Sequence, residues 1–149
     1  MWVRPGPGRD FNPGYREGAM PDRILVEVDR EVIVVRYDGR PDESDFQAYL
    51  DRYTELLERG VPYATVYTTE PGARMPTPRQ VRMQASWMKE YRDVAAALSK
   101  GLAFHLPSPL MRGVLRGVLA IQPLGAQHVV VETEDEAMRW ALARLHEDT

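Results

Sequence analysis

The stretch that decides the fold of this chain is ILVEVDREVIVVRYDG, residues 24–39. Two apolar runs, Ile24–Val28 and Val32–Tyr37, flank a short polar connection. Runs of four to eight residues rich in β-branched side chains, joined by a tight polar segment, are typical of a β-hairpin. We therefore predict two antiparallel strands with a turn at Asp29–Arg30, and we expect Asp38–Gly39 to end the second strand.

Helical and strand patterns alternate after this hairpin. Asp42 precedes an apolar pattern of period 3.6 that ends at Gly60, which predicts a helix with Asp42 as its N-cap. On its inner face this helix should carry Phe46, Tyr49, Leu50, Tyr53 and Leu57. Further strands are predicted at residues 62–67, 102–106 and 127–131, and helices begin after Thr77, Ser108 and Thr133, each a suitable N-cap.

Two of the predicted helices have a defined apolar face. The helix from Pro78 to about Leu98 should end at Gly101 and pack a stripe on the sheet that consists of Trp87, Tyr91, Val94 and Leu98. The helix after Ser108 should have an inner face that consists of Leu110, Val114, Val118 and Ile121.

The order of these elements defines the fold class. Strands that alternate with helices imply parallel pairs joined by right-handed crossovers, and the opening hairpin adds an antiparallel edge. We predict an α/β domain at residues 22–149, with a five-stranded mixed sheet and four helices in the order β-β-α-β-α-β-α-β-α. Residues 1–21 are rich in Pro and Gly and are predicted to be a flexible tail.

Composition excludes several classes of function. The chain has 149 residues, a net charge of -3, 44% hydrophobic residues, three histidines and no cysteine. Disulfides, thiolate metal sites and cysteine nucleophiles are therefore excluded, and we expect no metal and no cofactor. The mildly acidic balance argues against nucleic-acid binding. No apolar run is long enough to span a bilayer, so we expect a cytoplasmic protein without a transmembrane segment.

The order of the predicted strands and helices, together with several local segments, resembles the STAS family, in its SpoIIAA-like (STAS/SEC14-like) branch. The resemblance covers about residues 22–146 and rests on the segments Val34–Arg40, Tyr63–Tyr67, Thr77–Trp87, Gly101–Phe104 and Glu136–Leu142. It implies a bacterial regulatory or ligand-sensing domain that acts through surfaces, without catalysis. Anti-sigma-factor antagonists of this family carry a phosphorylatable serine in an Asp-Ser-Ser-Gly-like motif near a helix start. Here Thr77 is the sole hydroxyl at that helix start, so the resemblance does not extend to the motif.

Candidate binding residues lie where the parallel strands end, an edge that we call the rim. Ligands of open α/β sheets bind beyond the carboxyl ends of the strands, and helix N-termini there favour anions. The candidate rim residues are Thr69, Arg74, Thr77, Arg79, Ser108 and Arg112. The alternative is that Thr77 and Ser108 only cap helices and that the arginines are solvated. A second candidate surface joins Arg112 and Arg116, spaced i and i+4 beside Gly113 and Gly117, as a partner-docking face or as an exposed basic edge.

Catalytic signatures are weak. His105 lies within a predicted strand, where a lone histidine is most often structural, and no nucleophile lies in an elbow or triad motif. The leading hypothesis is a non-enzymatic domain that binds a protein partner, or itself, through the rim and the adjacent helix faces. The alternative is a small anionic or lipid-like ligand with its headgroup at Arg74 or Arg112. A hydrolase that uses His105 is a third hypothesis.

Overall fold

Five strands form one mixed sheet in the order β1-β2-β3-β4-β5 in the computed structural model, which describes residues 23–121 and 127–147. The predicted tail at residues 1–21 lies outside the described residues. The strands are β1 (Arg23–Asp29), β2 (Val32–Asp38), β3 (Tyr63–Thr69), β4 (Ser99–His105) and β5 (His128–Val131).

The hairpin and the parallel pairs are as predicted. β1 pairs with β2 in antiparallel register, and β2, β3, β4 and β5 are parallel neighbours. The turn lies one residue later than predicted, because Asp29 pairs with Val32 and the central residues are Arg30 and Glu31. Both have positive φ, 53° and 73°, as required by the two-residue turn that matches the twist of a hairpin.

Five helices are present in the described part of the chain, one more than predicted. They are α1 (Glu43–Leu57), α2 (Pro78–Glu90), α3 (Arg92–Leu98), α4 (Pro109–Ile121) and α5 (Glu134–His146). The prediction of one helix from Pro78 to Leu98 is wrong, because the helix breaks at Tyr91 (φ -104°, ψ 19°). At the break, Tyr91 stacks on Trp87 with ring centroids 5.0 Å apart, and beyond it Leu98 packs against the core while Val94 is exposed.

The predicted N-caps are confirmed. Asp42 accepts a hydrogen bond from the Asp45 backbone N–H and Thr77 accepts one from Gln80, and both pairs complete reciprocal capping boxes. Thr133 accepts a hydrogen bond from the Glu136 backbone N–H at the start of α5. The predicted inner face of α1 is also confirmed, since all five of its apolar residues are buried.

Apolar residues pack on both faces of the sheet. One layer lies under α1, α2 and α3 and includes Ile33, Tyr53 and Leu57, and the other lies under α5 and includes Val66 and Ala141. Gly101 does not end a helix as predicted. It lies within β4, where the ring of Trp140 in α5 would be 2.7 Å from an added Cβ.

Helix α4 is rotated about its own axis relative to the prediction. Leu110 is 75% exposed and Val114 43% exposed, while Met111, Leu115 and Leu119 are partly buried, so the predicted inner face points outward at these two positions. The side chains of Val118 and Ile121 lie outside the described residues. No described α4 side chain belongs to either core layer. Among the residues the structure covers, no helix combines the length and the apolar character needed to cross a bilayer.

Candidate functional site at the strand-end rim

A row of polar residues crosses the sheet at the carboxyl ends of its central strands. Arg36 of β2 pairs in register with Thr68 of β3, and Thr68 pairs with His105 of β4. Two residues earlier in β2 and β3, Val34 and Val66 are buried in the layer under α5. Side chains two positions apart share one face of a strand, so the polar row begins where this apolar layer ends.

The first member of the row, Arg36, is held by two carboxylates. One of its terminal nitrogens donates to Glu70 Oε2 at 3.0 Å, and the two terminal nitrogens donate to both oxygens of Glu134 at 2.9 and 2.8 Å. We call Arg36, Glu70 and Glu134 the Arg36 cluster. Hydrogen bonding to Arg36 holds the pKa of the Glu134 carboxyl below its ordinary value. The guanidinium therefore neutralises carboxylates of its own chain.

The other two members, Thr68 and His105, bind each other. Thr68 Oγ1 and His105 Nδ1 are 2.6 Å apart, and Thr68 is only 1% exposed. Because this hydroxyl lies beneath the surface, it is not placed to attack a substrate from solvent. The pair fixes the imidazole ring in place, which favours the structural interpretation of His105 over the hydrolase hypothesis.

Backbone hydrogen bonds hold the loop after β3 along the end of β2. The Glu70 N–H donates to Tyr37 O at 2.9 Å, and the Arg74 N–H donates to Gly39 O at 2.8 Å. Gly72 provides the positive φ, 87°, that the turn between them requires. Arg74 and Met75 are exposed on this anchored loop, and Arg74 has no side-chain hydrogen bond or ion pair among the described residues.

The hydroxyl candidates at the rim already have internal roles. Thr77 Oγ1 accepts the Gln80 N–H at 3.1 Å, and Ser108 Oγ accepts the Met111 N–H at 3.3 Å. Thr69 is buried at the end of β3. Both Thr77 and Ser108 therefore act as helix caps, as the alternative interpretation expected.

The arginine candidates are dispersed. Arg112 donates to Leu106 O at 2.8 Å and to Pro107 O at 3.2 Å, and lies 3.8 Å from Glu132. Its guanidinium thus binds backbone carbonyls of the loop before α4, whereas Arg116 is exposed, so the two arginines do not project together.

Arg79 pairs with Glu43 at 3.3 Å. With Glu70, Glu132 and Glu134 also at this edge, the rim carries both positive and negative side chains. Long sequence separation hid the Arg36 cluster. Its signal was a lone arginine directly after four apolar residues of β2.

A groove lies beside the rim, between the starts of α1 and α2. Its volume is about 460 Å³, and it is lined by Arg40, Pro41, Asp42, Glu43, Ser44, Thr77 and Gln80. Gln80 is almost completely buried and donates from Nε2 to Pro41 O at 2.8 Å, while its Oε1 accepts the Thr77 N–H at 3.0 Å. This amide fixes the distance between the two helix starts.

No family model and no curated protein matches the sequence. Solved structures do match. An uncharacterised Shewanella loihica protein of the DUF3478 family, described as having a SpoIIAA-like fold, superposes with a TM-score of 0.65 at 12% identity, over 83% of this chain and 97% of its own. The phosphorylated form of Bacillus SpoIIAA, a cell fate determinant, superposes with a TM-score of 0.56 at 22% identity, over 78% and 97%.

The chain has the SpoIIAA-like fold. An anti-sigma factor antagonist from Mycobacterium paratuberculosis shares it, with a TM-score of 0.53 at 19% identity over 83% of this chain and 98% of that one. The resemblance to STAS domains noted in the sequence is thus confirmed at the level of fold. At these sequence identities the neighbours establish only that this chain has the SpoIIAA-like fold, and they do not establish its activity.

Proposed function

We propose that this chain is a non-enzymatic regulatory domain of the STAS type that binds a protein partner through the rim. The observation that carries the proposal is the loop 70–76, which presents the exposed Arg74 and Met75 on an anchored backbone. Met75 is 51% exposed, and a large apolar side chain beside an exposed cation suits a protein contact.

Several polar side chains at the rim bind other groups of the chain itself, which supports a function in partner recognition rather than catalysis. Arg36 and Arg112 are held by carboxylates and backbone carbonyls of the chain itself, and Thr68 is buried against His105, so neither these arginines nor this hydroxyl is directed outward at the rim. The exposed groups lie on the outer loop instead. A surface that recognises a partner requires only such outward groups, whereas catalysis requires reactive groups that converge on a substrate.

The neighbours in fold support a protein partner. SpoIIAA and the Mycobacterium protein are described as anti-sigma factor antagonists, so they act on other proteins. We extend that class of action to this chain, and place it in the cytoplasm, as part of the proposal. The partner need not be an anti-sigma factor, because Thr77 Oγ1 is engaged as a cap at the helix start where antagonists of this family carry a phosphorylatable serine.

A small anionic ligand is the second candidate. The open groove of about 460 Å³ between the starts of α1 and α2 favours it, since two helix N-termini meet there. Asp42 and Glu43 also line the groove and repel an anion. The arginines first suggested for a lipid headgroup, Arg74 and Arg112, are not among its lining residues, and Arg112 is already paired.

Site-specific photocrosslinking in the native cell tests the proposal. A photoreactive residue replaces Met75 in the full chain, and the control replaces the exposed Arg139 on α5. We expect one discrete protein adduct from position 75, reduced by Arg74→Glu and unchanged by Arg139→Glu. Equal labelling from both positions would contradict a partner at the rim. Labelling of a small molecule alone would favour the second candidate.

A further inference from the structure

Helix α4 has an outward face that no element within residues 23–121 and 127–147 covers. Leu110, Gly113, Val114 and Gly117 are spaced i, i+3, i+4 and i+7, so they lie on one side of the helix, and all four are exposed. Leu110 is 75% exposed. Added Cβ atoms at Gly113 and Gly117 would meet nothing within 4 Å, so space is open above both glycines.

Hydrogen bonds fix the first turn of α4 to the loop that precedes it. Met111, Leu115 and Leu119 are partly buried on the inner side. Ser108 caps the first turn, and Arg112 donates to Leu106 O and Pro107 O. The outward apolar face is therefore presented by a helix whose first turn is fixed, and an exposed apolar helix face is suited to binding another helix.

Charge on α4 has one sign. Arg112 and Arg116 are the only ionisable residues of Pro109–Ile121, and Arg112 is already hydrogen-bonded. Arg116 is exposed at the border of the apolar face, one position before Gly117. The helix has no carboxylate that could pair with it. A surface complementary to this face would therefore present apolar side chains and an adjacent carboxylate.

Two other occupants complement this face less well. A second copy of α4 would bring a second Arg116 and no carboxylate from the helix itself. An anionic membrane would be attracted through the single exposed arginine of this helix, while the chain as a whole has a net charge of -3.

We propose that the outward face of α4 binds an amphipathic helix of a protein partner, with its apolar stripe over Leu110 and Val114 and an acidic residue opposite Arg116. Gly113 and Gly117 allow the partner backbone to approach closely, because they have no side chain to separate the two helices. The inference rests on the proposed function as a protein-binding domain, and it adds a second contact surface to the rim.

A displayed library of helical peptides tests the proposal with the full chain as bait. The peptides share a leucine stripe and have random flanking positions. We expect enrichment of Asp and Glu beside the stripe. Arg116→Glu should shift that enrichment to Lys and Arg, and the double variant Leu110→Ser, Val114→Ser should weaken binding of the selected peptides at least tenfold. Arg139→Glu on α5 is the matched control and should change neither result.

The variants are chosen to leave the fold intact, since the substituted side chains are exposed, and circular dichroism verifies this. A flank preference that is the same with wild type and Arg116→Glu would overturn the inference. Two further results would also overturn the inference. One is that the chain dimerises and the double serine variant does not, and the other is that the chain binds phosphatidylglycerol vesicles and the double serine variant does not. Crosslinking from Met75 separates the two proposals: if it persists while no peptide is selected, the α4 inference alone fails.

Discussion

Arg36 in β2 and Glu134 at the start of α5 form a two-pronged ion pair across 98 residues of sequence. Both carboxylate oxygens of Glu134 accept from the guanidinium, at 2.9 and 2.8 Å, and Glu70 accepts a third hydrogen bond. A planar guanidinium matches a carboxylate in this geometry, which adds orientation as well as energy. The pair thus ties the last helix to the strand that opens the parallel part of the sheet.

Replacement of Glu134 by Gln should lower the free energy of unfolding by about 1 kcal/mol at neutral pH, since the pair is only partly buried. The pKa of Glu134 is lower in the folded than in the unfolded chain. Its contribution is therefore complete above the ordinary value of 4.5 and is lost as pH falls through the lowered folded value. Urea unfolding across this pH range should show the difference between wild type and variant shrinking with acid.

The control for this pair is Glu55→Gln on α1. Glu55 pairs with Arg52 at 3.1 Å, but its side chain is largely exposed, so we expect a change near zero. An equal loss in the two variants would show that the Arg36 cluster contributes no more than a surface pair.

Gln80→Leu should destabilise the domain by about 2 kcal/mol. The leucine fills similar space but leaves Pro41 O without its donor and the Thr77 N–H without its acceptor. Gln80→Glu keeps the acceptor and loses the donor, so it should also be destabilising at neutral pH. Thermal unfolding measures both, with exposed Gln47→Leu on α1 as the control. Equal stability of all three variants would mean that the amide bridge between α1 and α2 is not needed.

Gly101→Ala should cost about 1–3 kcal/mol, because its Cβ would lie 2.7 and 2.8 Å from two ring atoms of Trp140. Trp140→Leu in the same chain should recover part of that loss, which a double-mutant cycle in urea measures. The matched substitution Gly113→Ala meets nothing within 4 Å and should stabilise α4 by about 0.5–1 kcal/mol. A neutral Gly101→Ala would show that Trp140 moves away without cost.

Burial raises the pKa of the Tyr53 hydroxyl well above 10.0. Its phenol therefore ionises first in the unfolded chain, and stability should fall as pH rises above that value. Tyr53→Phe removes the hydrogen bond to Thr65 Oγ1, 2.7 Å long, and should cost about 1 kcal/mol at neutral pH. Because the variant lacks the titrating group, its deficit should shrink above pH 10.0, as followed by urea unfolding and tyrosinate absorbance. A deficit that is constant with pH would contradict this assignment.

Local patterns were sufficient for the elements whose signals lie close together in sequence. The strand runs around the first turn and the caps at Asp42 and Thr77 depend on neighbours within a few residues, and each was predicted. The mixed sheet followed from the order of these elements, because crossover handedness leaves few alternatives. The break at Tyr91 was missed because an apolar stripe of helical period continues through it.

The sequence by itself determined the class of fold, the helix caps and the absence of cysteine chemistry, since each depends on residue type or short spacing. Only the tertiary structure decided which side chains pair at the rim and which face of α4 points outward. It brought Glu134 to Arg36, engaged Arg112 with backbone carbonyls, and turned Leu110 outward. Periodicity shows that a helix has an apolar side, but not how that side is rotated relative to the sheet. Only the packed molecule sets which charges meet, because such contacts depend on distance in space rather than along the chain.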